Sequence, residues 1–330
     1  MDKLNDPQRK AVETLQGPLL VLAGAGSGKT RVVTFRIANL IRNGIAPDRI
    51  LAVTFTNKAA AEMRERVTHQ LGKKLRIRPD VSTFHSHCVN VLKRHITRLG
   101  YPARFGICDP GEQEGIARDA LRHIKVPDAM LRPGDLISYV SRWKSQSILP
   151  SAASTTACTD KEHLAAAAYR RYQQTLKLRG MVDFDDLLLL TEELFRDHGD
   201  VCAEEAARYD HLLVDEYQDT NGPQYRIIRA LAMPHRNLCV VGDDDQSIYA
   251  WRGAEVQHIL NFKRDWPDAT VVYLEENYRS TGAILEVANR LIAYNKHRHD
   301  KVLKAARGMG ERPRIRSEEH TSELQSRGLI

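Results

Sequence analysis

The stretch Ala23-Gly24-Ala25-Gly26-Ser27-Gly28-Lys29-Thr30 constrains this chain more than any other. Four apolar residues, Leu19 to Leu22, lead into it, and beyond it Val32, Val33, Phe35, Ile37, Leu40 and Ile41 recur at helical spacing. The pattern is strand, glycine turn, helix. Glycines let several backbone amides converge on one anion, and the following helix adds its unsatisfied N–H groups and the positive end of its dipole. Lys29 supplies a point charge for outer phosphates and the Thr30 hydroxyl a ligand for Mg²⁺, with Arg31 next to them. Ala23 stands where the usual pattern has Gly. The alternative is a glycine-rich turn that carries a Lys by chance, and the joint presence of strand, loop and helix weighs against it.

A chain of 330 residues accommodates two domains, or one large α/β domain with an insertion. Its 42% hydrophobic and 28% charged residues are ordinary for a globular protein, and no apolar run approaches the ~20 residues of a membrane span. Met1 to Asp6 lack the apolar core of a signal peptide, so a cytoplasmic location and no membrane partner are expected. Five scattered cysteines, Cys88, Cys108, Cys158, Cys202 and Cys239, fit neither a zinc site nor a disulfide framework. The net charge of +7 is concentrated between Arg64 and Arg104, where ten Lys or Arg face two acids. Such a stretch suits a phosphate backbone or a solvated helical face.

Ahead of the loop, Asp6 is expected to cap a short helix with Pro7 at its first position and Gln8 next to it. A Gln amide donates and accepts at once, matching the edge of adenine, although alone it reads as a surface residue. The strands expected at Ile50–Phe55 and Val81–Phe84 each end in polar and aromatic groups, namely Phe55, Thr56, Asn57 and His85. In open α/β sheets that edge binds ligands. Phe55 as core and His85 as a helix cap are the plain alternatives. From 109 to 196 the pattern turns helical, with Pro and small-residue breaks and no buried parallel strand, which predicts an all-helical insertion. Asp183 to Asp186 are expected to cap its last helix.

The sheet resumes at Leu212–Val214 and runs into Asp215-Glu216, an acid to hold Mg²⁺ and an acid to take a proton from water. Leu238–Val241 leads to Gln246, whose amide suits a γ-phosphate, and to Tyr249, Trp251 and Arg252, a composition that stacks unpaired bases. A strand over 270–274 then brings Tyr278 and Arg279 toward the nucleotide.

Taken in order, Ala23–Thr30, Thr54–Ala60, Val214–Thr220, Val241–Ala254 and Asn277–Ser280 resemble five motifs of the superfamily 1 DNA helicases of the Rep, UvrD and PcrA group, in a Rep-like form. Leu4–Arg9 resembles that family's adenine-reading glutamine motif. The resemblance implies a RecA-like P-loop NTPase fold, a parallel sheet flanked by helices, with the helical insertion as accessory domain. It implies residues 1–108 and 197–315 as the discontinuous ATP-binding domain and 109–196 as the insertion. It further implies that Lys29, Thr30, Asp215, Glu216, Gln246 and Arg279 surround ATP and Mg²⁺, with Gln8 and Tyr278 against adenine. Phe55, Thr56, Asn57, His85, Tyr249, Trp251 and Arg252 would meet single-stranded DNA, with movement 3′ to 5′. The implied partners are single-stranded DNA and single/double-strand junctions in a bacterial-type, nucleoid-associated cytoplasm, together with self-association or repair and replication proteins. Nothing after Arg279 reads as a second RecA-like domain, so the chain is expected to be the N-terminal motor portion. Residues 316–330 read as a non-native or disordered tail.

Overall fold

Strands buried on both faces read as unbroken apolar runs, and four of them, Leu19–Ala23, Ile50–Thr54, His211–Val214 and Leu238–Gly242, are buried at every position. The structure is a computed structural model that describes residues 4–72, 77–127 and 129–314. Its strands are β1 (Leu19–Ala23), β2 (Ile50–Thr54), β3 (Asp80–Thr83), β4 (Gly106–Ile107), β5 (Met181–Val182), β6 (His211–Val214), β7 (Leu238–Gly242), β8 (Thr270–Leu274), β9 (Glu276–Asn277) and β10 (Lys304–Ala305). Six of them form one parallel sheet in the order β3-β2-β6-β7-β1-β8. All six carboxyl ends therefore lie along one edge.

Alternation along each strand divides the core in two. Leu20, Leu22, Leu51, Val53, Leu212, Val214, Leu238 and Val240 meet the helices Phe84–His95, Asp186–Asp197, Gly199–Ala206 and Gly222–Ala232. Leu19, Val21, Ile50, Ala52, Leu213, Cys239 and Val241 meet Asp6–Glu13, Lys29–Arg42 and Asn57–Leu71 on the other face. The architecture is a mixed α/β sandwich around a parallel sheet, as expected.

The segment expected to be an insertion has a buried cluster of its own. Helices Pro110–His123, Pro133–Ser145 and Asp160–Leu178 close around Trp143, which stacks between Tyr139 and Tyr169 with ring centres 5.9 and 5.8 Å away. Next to it the buried Lys144 ammonium reaches Asp183 at 2.6 Å and Asp186 at 2.8 Å. Burial works against that charge, yet the two carboxylates hold Lys144 protonated well above the usual range.

The structure departs from the sequence expectations at three places. The insertion is not wholly helical, because β4 and β5 pair in parallel at its base. The helix Asp186–Asp197, expected to end the insertion, buries Leu187, Leu188, Leu190, Leu194 and Phe195 in the cluster on the sheet instead. An aliphatic-rich helix satisfies either core by composition, and only tertiary packing decides which. The first helix is capped by Asn5 rather than Asp6, in a reciprocal box with Gln8. Asp183 and Asp186 do cap each other, through backbone–carboxylate bonds of 2.8 and 3.1 Å. Residues 316–330, and Lys73, Lys74 and Arg76 of the basic stretch, lie outside the described residues.

Candidate functional site

The loop after β1 is shaped by glycines at two places where a side chain does not fit. Gly26 and Gly28 take φ of +70° and +93°, and a Cβ there would come within 2.6 Å of Arg279 and 2.9 Å of Gln8. The helix Lys29–Arg42 opens at Gly28 with no side-chain cap and no acid in its first turn. Its leading N–H groups are left for an anion. Thr30 and Arg31 stand half-buried on that turn.

Three neighbours brace the loop. Gln8, buried, donates from Nε2 to the Ser27 carbonyl at 2.9 Å, and its Oε1 accepts from the Asn5 backbone at 3.2 Å. Both ends of the amide are thus engaged with protein. Asn277 donates to the Ala25 carbonyl at 2.5 Å, and the Tyr278 backbone donates to Gly26 at 3.0 Å. Tyr278 itself is partly exposed, with its hydroxyl donating to Glu276 and accepting from Asn5. Arg279 is exposed, its backbone held by the Asn277 side chain.

Across the sheet edge Lys29 Nζ meets Glu216 Oε2 at 2.5 Å. Glu216 sits in the left-handed region at φ +52°, a conformation that costs a non-glycine residue energy and aims its carboxylate at the loop. Asp215 is buried at the end of β6, and burial followed by the Glu216 charge pushes its carboxyl up to about 7. Asp219 is pushed up to about 6 by the same two causes in the same order. Three carboxylates share one lysine here, so the cluster is short of positive charge.

Gln218, to which the sequence reading gave no role, ties this cluster to the next loop. Its Nε2 donates to Glu216 at 3.0 Å, and its Oε1 accepts from the Asp243 backbone at 2.9 Å. The Gln246 amide donates to the Asp243 carboxylate. A hydrogen-bonded line therefore runs from Lys29 through Glu216, Gln218 and Asp243 to Gln246. A polar residue flanked by acids was the available signal, but nothing in the string tells an inward Gln from an exposed one.

The expected DNA contacts also lie along the carboxyl edge. Tyr249, Trp251 and Arg252 follow β7, with Trp251 73% exposed and the Arg252 guanidinium 4.6 Å from its ring centre. Phe55 follows β2 and is partly buried edge-on to Phe84, which makes it as much core as surface. Thr56 caps the next helix by accepting from Ala59, and Asn57 is exposed at its start. His85 opens the helix after β3 and stacks on Phe184 at 3.9 Å. Burial lowers its imidazole to about 4. Phe184 is 59% exposed and extends the aromatic edge, a contribution hidden in the sequence by the acids around it.

The residues present fit a magnesium nucleotide: glycines where a Cβ would clash, an uncapped helix start, and three carboxylates that share one lysine. Comparison with known proteins gives the family. Residues 4–267 match the UvrD/REP helicase N-terminal domain, and residues 272–327 match the UvrD-like helicase C-terminal domain. The chain is 42% identical over 313 residues to the ATP-dependent DNA helicase PcrA of Staphylococcus aureus, covering 94% of this chain and 43% of that protein. It is 43% identical over 310 residues to the protein of the same name from Staphylococcus epidermidis, covering 94% and 42%. The chain thus spans less than half the length of these relatives. The second match also corrects the expectation that nothing beyond Arg279 belongs to a second family domain. That match begins inside β8, although β8 pairs with β1 in the main sheet.

Proposed function

Because this chain belongs to the UvrD/REP helicase family, we propose that it carries the ATP- and single-strand-binding part of a 3′-to-5′ DNA helicase, which couples nucleotide hydrolysis to movement along DNA. The observation that carries the reading is the line of hydrogen bonds from Lys29 to Gln246, which ends three residues before the exposed Tyr249, Trp251 and Arg252. Phosphate chemistry and base stacking thereby share one mechanical element.

In this reading the loop amides of residues 24–30 and the Lys29 ammonium hold the β- and γ-phosphates. Thr30 and Asp215 would hold Mg²⁺, which would neutralise phosphate charge there. Lys29 exchanges Glu216 for phosphate, and the freed Glu216 carboxylate accepts a proton from the attacking water. Arg279 and Gln246 approach the γ-phosphate, while Tyr278 covers adenine. For Gln8 to read the base, its amide would have to exchange the Ser27 or Asn5 bond for the ligand. Phe55, His85, Tyr249, Trp251 and Arg252, joined by Phe184, form a stacking surface for unpaired bases, each worth ~1–3 kcal/mol, and Thr56 and Asn57 offer polar contacts to the strand. Single/double-strand junctions, self-association, repair or replication partners, and a nucleoid-associated cytoplasmic location belong to the same proposal. So does a motor domain interrupted by the helical insertion. Among the described residues no helix is long and apolar enough to cross a membrane.

The test is strand separation on a duplex with a 3′ single-stranded tail, by a polypeptide carrying this sequence at the relatives' length. ATP-dependent unwinding that requires the 3′ tail is expected. Binding of ATP and single strands without unwinding would reduce the chain to a binding module.

A further inference from the structure

Asp243, Asp244 and Asp245 follow β7 directly, three adjacent carboxylates beside a site proposed for a triphosphate. One buried cation answers all three. Lys301 Nζ lies 2.9 Å from Asp243, 2.6 Å from Asp244 and 2.7 Å from Asp245. Arg298 grips Asp245 with two bonds of 2.8 and 2.7 Å and also donates to the Lys301 carbonyl, while the His299 backbone donates to Asp244 at 2.6 Å. Burial opposes the lysine charge, but the aspartates raise its pKa, and the Asp244 carboxyl is held below its usual range.

The same segment then crosses to the phosphate loop. The Leu303 side chain lies against Gly24 so closely that a Cβ there would run into it. β10 pairs with β9, and the Ala306 backbone donates to Asn277, the residue that holds the Ala25 carbonyl. Residues 298–306 therefore touch the acidic loop, the phosphate loop and the strand that precedes Arg279. They lie within the stretch that matches the family's C-terminal domain, whereas the two loops lie within the N-terminal match.

We propose that Lys301 and Arg298 are positioning residues that fix the 243–252 loop against the phosphate loop, so that a nucleotide at one alters single-strand affinity at the other. This rests on the functional reading above. Neither residue touches a ligand; each acts through the aspartates, and Asp243 in turn orients Gln246.

The experiment uses the 330-residue chain, wild type beside Lys301→Met, Lys301→Arg and Arg298→Met. Trp251 reports on the loop without any ligand, because the other two tryptophans, Trp143 and Trp266, are each 1% exposed and shielded from acrylamide. A labelled oligothymidylate is then titrated with and without a non-hydrolysable ATP analogue and Mg²⁺. In the wild type the two affinities should differ by about five-fold or more. Lys301→Met should bring them within about two-fold of each other, with analogue binding little changed and acrylamide quenching of Trp251 increased, Arg298→Met should fall between, and Lys301→Arg should retain most of the coupling. A folded Lys301→Met protein with wild-type coupling and wild-type acrylamide quenching of Trp251 overturns the proposal. If that variant does not fold, Arg298→Met decides by the same criterion, since Asp243 and Asp244 keep Lys301. A wild type that binds neither ligand overturns the functional reading and the coupling with it, whereas coupling that survives in the variants overturns the positioning role alone.

Discussion

Two parts of the sheet's carboxyl edge, the nucleotide edge proposed above and the aromatic edge beside it, are prepared in opposite ways. At the first, the working side chains are already engaged with one another: Lys29 with Glu216, Gln8 with Ser27, Gln246 with Asp243 and Asn277 with Ala25. At the second they stand in solvent, with Trp251 73%, Phe184 59% and Tyr249 40% exposed, ordered by stacking on Arg252 and His85. Charge in a half-buried cleft must be balanced by protein until a ligand's charge replaces it. A stacking surface needs no such stand-in, because one exposed ring costs little. A change at the nucleotide edge should therefore spread through its partners, and a change at the aromatic edge should stay local.

The largest effect that would break or sharpen this contrast is expected from Glu216→Gln. It keeps the size and most hydrogen bonding but cannot take a proton, so hydrolysis by a polypeptide of the relatives' length should fall ~10²-fold or more while ATP still binds. Steady-state turnover measures it, and near-normal rates would make Glu216 a structural partner of Lys29. Next is Trp251→Ala. Loss of one stacked base at ~1–3 kcal/mol should weaken oligothymidylate binding by about five- to 150-fold and leave nucleotide affinity unchanged. A parallel loss of nucleotide binding in the titration would show that the two edges are not separable in this way.

The smallest is the pH response of His85. Its folded-state value of about 4 lies below the ordinary 6.5, so as pH falls the unfolded chain takes up a proton before the folded one does. Its contribution to stability is present above about 6.5 and is lost as pH falls toward 4. His85→Phe, which keeps a ring against Phe184, should narrow the drop in melting temperature between pH 7 and pH 5 by a few degrees. Thermal melts that show the same drop in both proteins would mean that His85 is already protonated or exposed.

The contrast also bears on legibility. Doubly buried strands announce themselves by composition, so the four inner strands of the sheet could be read, and the edge strands β3 and β8 were legible from the polar and aromatic residues that follow them, as were the glycine loop and the paired acids. Motif spacing carried the nucleotide edge because phosphate chemistry restricts residue types at fixed offsets. Gln218 and Asn277 were not legible as braces, since an amide takes its role from the carbonyl or carboxylate that tertiary packing brings near. Phe184 was hidden among acids that serve the insertion's buried Lys144. The ion cluster at Lys301 joins residues more than fifty positions apart, and no local pattern encodes it. The insertion's end was misplaced for the same reason: helix Asp186–Asp197 is apolar enough for either core.

The most direct test of the central claim, that the loop at residues 23–30 holds a nucleotide, is a calorimetric titration of ATP and Mg²⁺ into the wild-type chain and into Lys29→Ala. Lys29 is the one side-chain cation in that loop, so removing it should weaken binding several-fold or more. Equal ATP affinity in the two proteins would contradict the assignment of the loop and the functional reading built on it.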